Sequence, residues 1–206
     1  ETKSNFNTWI QGDYNDSNYF ENLDKYLDDL SVNKPEVDYK ITNDDDALYI
    51  YTSGTTGNPK AATISHKRLR LMMLGFKGAI QPNKNDRVYN VLPLYHSAGG
   101  VIAVGLALTS GASLVLKRKF SVNEFWDDVY KYKVTIFQYI GELCRYLLNA
   151  PTHKYEKDHN LRMVTGNGLR PDIWDDFKER FNIKNILEFY GATEGNVSLM
   201  NYDGKS

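Results

Sequence analysis

The densest concentration of reactive residue types in this chain is one run, Tyr51-Thr52-Ser53-Gly54-Thr55-Thr56-Gly57-Asn58-Pro59-Lys60. Gly54 and Gly57 allow the backbone to turn at positive φ and to approach a ligand closely. Consecutive backbone N–H groups in such a turn form an anion-binding concavity. Thr52, Ser53, Thr55 and Thr56 add hydroxyl donors, and Lys60 adds a positive charge. The run reads as a phosphate-gripping loop that follows a short apolar strand, Ala47 to Tyr51. It is not a Walker A loop, which needs adjacent Gly-Lys followed by Ser or Thr. Here Pro59 precedes the lysine and Ala61 follows it. A surface turn rich in small residues is the plainer alternative, and ten such residues in register weigh against it.

A second concentration is Tyr190-Gly191-Ala192-Thr193-Glu194. It supplies an aromatic face, a tight turn, a hydroxyl and a carboxylate within five residues. A flat ring can stack on a base, and a hydroxyl can hold a phosphate oxygen. A hard carboxylate oxygen suits Mg²⁺, usually beside phosphate oxygens and water. Read alone, the pentapeptide is equally a capped turn. Gly166-Asn167-Gly168 admits a close ligand or is a plain strand-to-helix turn. His96 follows Pro93-Leu94-Tyr95, and a lone histidine is more often structural than functional. Glu142 is either a buried hydrogen-bonded carboxylate or a helix N-terminal acid favoured by the dipole.

The elements that must position these residues alternate. Ala61 to Ser65 reads as a strand and His66 to Ile80 as a helix ending near Pro82. Arg87 to Leu92 reads as a strand. Ser97 to Thr109 is apolar nearly all round and reads as a buried helix that Gly111 ends. Ala112 to Leu116 is a strand. Ser121-Val-Asn-Glu124 has the form of a capping box. Behind it Val122, Phe125, Trp126, Val129 and Tyr130 keep helical spacing. Val134 to Tyr139, Leu161 to Thr165, Ile186 to Tyr190 and Val197 to Tyr202 read as strands. Gly141 to Asn149 and Pro171 to Asn182 read as helices, the latter with proline at N1. The order implies an α/β fold with a doubly wound, mainly parallel sheet and helices on both faces. In such sheets ligands bind beyond the carboxyl ends of the strands. Loop 52–60, His96-Ser97, Gly141-Glu142, Gly166–Gly168 and Tyr190–Glu194 are all expected there.

Charge divides the chain. Residues 1–46 carry a net charge of -8 and residues 47–206 a net of +7, for -1 overall. The first segment is rich in Asn, Asp and Tyr and reads as an acidic peripheral or linker region, with a short helix between Asn22 and Leu30. The mildly basic remainder suits an anionic nucleotide or an anionic membrane, and solvated helix faces explain it as well. Nothing in the charge balance points to nucleic acid. The one cysteine, Cys144, forms no internal disulfide and is expected to pack as a small apolar residue. The chain opens at Glu1 without an initiator Met or a signal peptide and reads as an excised piece of a longer protein.

The run at 51–60 resembles the phosphate-loop signature of the adenylate-forming superfamily. Four further segments make the chain most similar to the fatty acid transport protein/very-long-chain acyl-CoA synthetase branch. They are Leu92 to Gly99, Gln138 to Leu148, Gly166 to Arg170 and Phe189 to Glu194. The resemblance covers about residues 47–203 and implies that residues 47–206 are part of the large AMP-binding domain, with residues 1–46 peripheral to it. It implies ATP-dependent activation of a long- or very-long-chain fatty acid through an acyl-adenylate, then thioester formation with CoA. Tyr190 is then the adenine-stacking residue, with Gly191 beside it. Thr193 is the α-phosphate contact, Glu194 the Mg²⁺ ligand, and Lys60 acts on the phosphates. Residues 52–57 belong to the ATP site, and Gly166, Asn167 and Gly168 to its adenine side. His96 and Glu142 fall in the acyl-substrate region. The parent is expected to be membrane-associated, at an organelle the sequence does not resolve, and this piece soluble and cytosol-facing. The ribose-binding aspartate and the C-terminal domain of the pattern are expected outside the chain, so the piece alone is expected to turn over poorly. Two other readings stay open. One is a membrane fatty acid uptake protein with ligation as a trapping step, and the other an ATP-binding module without turnover. Oligomeric state is not legible.

Overall fold

A computed structural model describes residues 9–12, 21–52, 58–195 and 197–205. The chain divides into two compact units, Glu1–Lys40 and Ile41–Ser206. In the first, β1 (Trp9–Ile10) pairs parallel with β2 (Glu21–Asn22), which leads into α1 (Leu23–Asp28). The Asn22 side chain caps α1 by accepting from the Lys25 amide. Trp9 packs on Tyr26 with ring centroids 4.7 Å apart. Tyr26, Leu27 and Leu30 are exposed.

The second unit begins with an antiparallel hairpin, β3 (Asp46–Thr52) and β4 (Lys60–Ser65), with Thr52 opposite Lys60. The sequence predicts that the strand before the phosphate run belongs to the parallel sheet, and the strands that flank the run do not. β3 and β4 form a two-stranded sheet of their own. The physical reason is the short connection: it suits antiparallel neighbours, whereas parallel strands need a crossover of a dozen or more residues. Ile50 and Ile64 of the hairpin pack with Val101 and with Leu69, Met72 and Met73 of α2 (His66–Ile80). The Ser65 side chain caps α2 by accepting from the Arg68 amide.

The main sheet has six strands: β5 (Arg87–Asn90), β6 (Ser113–Leu116), β7 (Ile136–Ile140), β8 (Met163–Asn167), β9 (Ile186–Gly191) and β10 (Ser198–Asn201). Their spatial order is β10-β9-β8-β7-β5-β6. All neighbours are parallel except β10, which returns antiparallel on β9. The chain runs from β5 to β6 on one side, then crosses to β7, β8 and β9 on the other. The switch point therefore lies between β5 and β7, where the doubly wound rule places ligands.

Period-2 alternation sorts the strand side chains to two faces. Val88, Ile136, Leu187 and Phe189 pack under α2 and α3 (Val104–Ser110), with Phe76, Ile80, Ile102 and Leu106. Tyr89, Phe137, Tyr139 and Val164 pack on the other face. That face is covered by α4 (Val122–Lys131), α5 (Gly141–Asn149) and α6 (Pro171–Arg180). Cys144 is fully buried in this layer.

Two local expectations are corrected. Ser97–Ala103 is a π-helical turn, and only Val104–Ser110 is α-helix. A Cβ at Gly100 would lie 2.0 Å from the Leu94 carbonyl oxygen, so the bulged turn is seated directly on the backbone of the preceding loop. The capping box at Ser121 does not form. Ser121 makes no side-chain cap bond, and Glu124 pairs with Lys117 at 3.2 Å instead.

One ion pair fastens the amino edge of the sheet. Asp86, 3% exposed, accepts from Arg162 Nη2 at 2.7 Å, from Thr135 Oγ1 at 2.7 Å and from the Asn83 amide at 2.8 Å. Burial alone raises its carboxyl pKa, but the bonds from Arg162, Asn83 and Thr135 and the Arg162 charge outweigh burial and hold it below 3.8. A depressed folded pKa contributes stability above the unfolded value, lost as pH falls through the folded one. Asp86→Ala is expected to cost about 3 kcal/mol, because it leaves a partly buried guanidinium unpaired. The gap in urea midpoint from wild type should be full at pH 7 and narrow as the pH is lowered below the ordinary carboxyl range. A gap that does not narrow as the pH is lowered towards acid unfolding would refute the linkage.

Candidate active site

β9 ends in the 192–195 turn, and β10 folds back from it. Thr193 Oγ1 lies 3.3 Å from Ser97 Oγ, the first residue of the π-helical turn that follows β5. The Tyr190–Glu194 segment and the His96-Ser97 segment therefore meet, although 96 positions separate the two hydroxyls. His96 caps that turn, its Nδ1 accepting from the Ala98 amide at 3.2 Å. In the neutral ring this leaves the proton on Nε2. Glu194 is exposed and makes no hydrogen bond or ion pair to any described residue. Its carboxylate is available to a cation. Among the described residues no group of three acidic, histidine or cysteine side chains could hold a metal by itself. One hard oxygen ligand with room for phosphate and water fits Mg²⁺, which usually takes only one or two carboxylates.

On the other side of β9, Asn167, Gly168 and Tyr190 line one groove of about 470 Å³, together with Glu188 and Leu199. Tyr190 is 73% exposed there, an open aromatic face. Gly166 is the register partner of Tyr139 on β7. Gly141, the first residue after β7, is in backbone contact with Gly168. The start of α5, directly after β7, and the loop after β8 thus pack against each other beside the groove.

Thr52 and Lys60 are paired at the end of the hairpin that flanks the 53–59 connection, with Thr52 Oγ1 donating to the Lys60 carbonyl at 3.4 Å. Ser53, Gly54, Thr55, Thr56 and Gly57 lie outside the described residues. Glu142 is in the first turn of α5, 51% exposed, and paired with Arg145 one turn on. The Arg145 bond lowers its pKa. The buried-carboxylate alternative for Glu142 does not hold, and the helix-terminus alternative describes its geometry.

The sequence profile of the AMP-binding enzyme family matches residues 6–206. The chain belongs to the AMP-binding enzyme family. Human long-chain fatty acid transport protein 1 is 53% identical over 162 residues, which are 79% of this chain and 25% of that protein. The chain thus spans about a quarter of the length of the curated relatives it matches. ATP-bound MatB from Rhodopseudomonas palustris superimposes with a TM-score of 0.75 at 26% identity, over 88% of this chain and 36% of that one. The inhibitor-bound N-terminal domain of FACL13 from Mycobacterium tuberculosis gives 0.74 at 21%, over 87% of this chain and 45% of that domain, a likeness of fold.

Two side chains of this family member stand in the candidate site without a sequence expectation. Glu188 lines the groove with Tyr190 and accepts from the Leu169 amide at 3.0 Å and from the Tyr139 hydroxyl. Burial raises its pKa against the lowering effect of these bonds. The available signal was a single acid in the apolar run Ile186-Leu-Glu-Phe189, on a strand buried from both sides. Arg68 of α2 is the other. Its Nη2 donates to the Thr193 carbonyl at 2.6 Å and to the Gly195 carbonyl at 2.5 Å. Nothing in the local sequence marks it.

A cavity of about 600 Å³ opens between α2 and the 192–200 hairpin. Leu71, Met72, Gly75, Phe76 and Met200 give it a mainly apolar wall, with Arg68 among its lining. None of the described helices is long and apolar enough to cross a membrane.

Proposed function

We propose that the protein is an AMP-forming ligase that activates a long-chain fatty acid with ATP and passes the acyl group to CoA, with residues 47–206 as part of its adenylation domain. The meeting of Thr193 and Ser97 carries this reading. It joins the turn bearing Glu194 to the loop bearing His96 at the switch point of the sheet. The apolar cavity beside that turn, and the relatives named as long-chain fatty acid transport proteins, support a fatty acyl substrate.

In this reading Tyr190 stacks on adenine, with Gly166, Asn167 and Gly168 on the far side of the base and Gly191 behind it. The loop from Thr52 to Gly57 and Lys60 hold the β- and γ-phosphates, and Thr193 contacts the α-phosphate. Glu194 would hold Mg²⁺, which supplies charge neutralisation of the phosphates when bound. His96 Nε2–H borders the fatty acid carboxylate. One carboxylate oxygen attacks the α-phosphorus, an acyl–phosphate bond forms, and the bond to the pyrophosphate oxygen breaks. CoA thiolate then attacks the acyl carbon and AMP leaves. The protein mainly positions groups and neutralises developing charge.

The test is fatty-acid-dependent ATP–pyrophosphate exchange and acyl-CoA formation by the detergent-solubilised full-length protein, without any vesicle gradient. Both activities are expected. Nucleotide binding with neither activity would leave an ATP-binding module. Fatty acid uptake into vesicles without thioester formation would leave a transporter.

A further inference from the structure

We propose that Arg68 is a positioning residue for Glu194: it holds the metal-facing turn in place and joins it to the phosphate hairpin. The proposal rests on the ligase reading above. Arg68 stands in the first turn of α2, which continues directly from β4 of the hairpin. One nitrogen, Nη2, donates to the carbonyls of Thr193 and Gly195, more than 120 positions away in sequence. Those two carbonyls bracket Glu194. A guanidinium bond to a carbonyl is charge-assisted and stronger than a neutral one.

Few other bonds hold the turn. The Gly195 amide donates to the Ala192 carbonyl at 3.0 Å, and Thr193 meets Ser97. The Glu194 side chain itself touches no described polar group, so its direction follows from its backbone. The Arg68 Nε is buried with no hydrogen-bond partner among the described residues. Leaving a charged donor unsatisfied is costly, and the Arg68 side chain accepts that cost while both Nη2 bonds are made. Because α2 and β4 are continuous, and Ile50 and Ile64 pack the hairpin strands on the same helix, the hairpin strands and the Glu194 turn are both fastened to α2. The acyl cavity shares this wall, since Leu71, Met72 and Phe76 lie on α2 beyond Arg68.

The test uses full-length protein and two readouts. One is Mn²⁺ retention in the ternary complex with ATP, read by electron paramagnetic resonance of free Mn²⁺. The other is ATP–pyrophosphate exchange. Arg68→Met is expected to weaken Mn²⁺ retention by about tenfold, the effect of removing a group that orients a metal ligand. Exchange should fall by about a hundredfold, as for a small misplacement of reacting groups. Arg68→Lys keeps the charge and loses the planar fork, and should recover part of both. The deciding step is a double-mutant cycle. In a Glu194→Ala background the Arg68 substitution should cost nothing further in Mn²⁺ retention, because neighbours that act through one another are not additive. An undiminished cost in that background would assign Arg68 a general structural role and overturn the proposal. So would wild-type Mn²⁺ retention in Arg68→Met. If Arg68→Met does not fold, Arg68→Lys carries the same cycle. A wild-type protein that retains Mn²⁺ and ATP but shows no exchange would sink the ligase reading while leaving the Arg68 cycle readable.

Discussion

Glu194→Ala is expected to lower fatty-acid-dependent pyrophosphate exchange by about 10²–10³-fold, the range seen when one preorganised electrostatic partner of a transition state is removed. The side chain is exposed and bonds to no described residue, so its loss removes no packing and no internal hydrogen bond. Thermal unfolding should therefore be unchanged, since surface substitutions of this kind stay within about 0.5 kcal/mol. The separation of the two effects is the content of the prediction. Glu194→Gln keeps a neutral oxygen ligand and loses the charge. It should fall between the two and regain activity at higher Mg²⁺. Full exchange activity in Glu194→Ala would remove the carboxylate from the site. A lost activity that tracked a lowered unfolding midpoint would assign Glu194 to folding.

Much of this arrangement is legible in the sequence because it rests on local rules. Apolar runs between turn residues mark the strands, and Pro171 at N1 marks the start of α6. The chemistry-bearing residues follow strand ends, so βαβ order alone predicts that His96, Gly166–Gly168 and Thr193 gather at one edge. The rest depends on contacts that no local pattern encodes. Which strand a strand pairs with is a tertiary fact, and β3 pairs only with β4 among the described strands. The π-helical turn depends on Gly99 and Gly100 sitting against the carbonyls of Leu92, Pro93 and Leu94. Apolar content alone reads there as ordinary helix. The capping motif at Ser121 is overridden because Lys117 offers Glu124 an ion pair. Asn90, Gln138 and Thr165 form one buried polar rung across β5, β7 and β8. Asn90 and Thr165 are hydrogen-bonded, while neither polar atom of Gln138 has a described partner. That rung lies under the π-helical turn, and its residues read from sequence as unremarkable strand positions. Arg68 is the extreme case, since its partners are fixed only when the whole sheet has closed.

Gly141→Ala is expected to be the most damaging glycine-to-alanine change among the described residues. A Cβ at Gly141 would stand 1.7 Å from the Gly168 carbonyl oxygen, 2.1 Å from its carbon and 2.6 Å from the Leu169 nitrogen. All three are backbone atoms, so no side chain can rotate away. Gly168 already occupies the left-handed region at φ +82°, which limits how the loop can yield. Room can come only from displacing residues 166–169 as a unit. That displacement breaks the Leu169 amide bond to Glu188 and opens the groove shared by Asn167, Gly168 and Tyr190. Overpacking of a fitted interior costs about 1–3 kcal/mol and sometimes more, and a clash this deep belongs at the upper end. Nucleotide affinity should fall with it, because the groove wall has moved. Gly78→Ala is the matched control: it adds the same methyl on α2 with nothing within 4 Å. It should stabilise by about 0.5–1 kcal/mol through helix propensity. Urea unfolding and ATP titration of the two variants separate a general intolerance of alanine from this contact. Wild-type ATP affinity in a folded Gly141→Ala protein would mean that the 166–169 loop yields freely, and that its seat on Gly141 does not shape the base-binding side of the site.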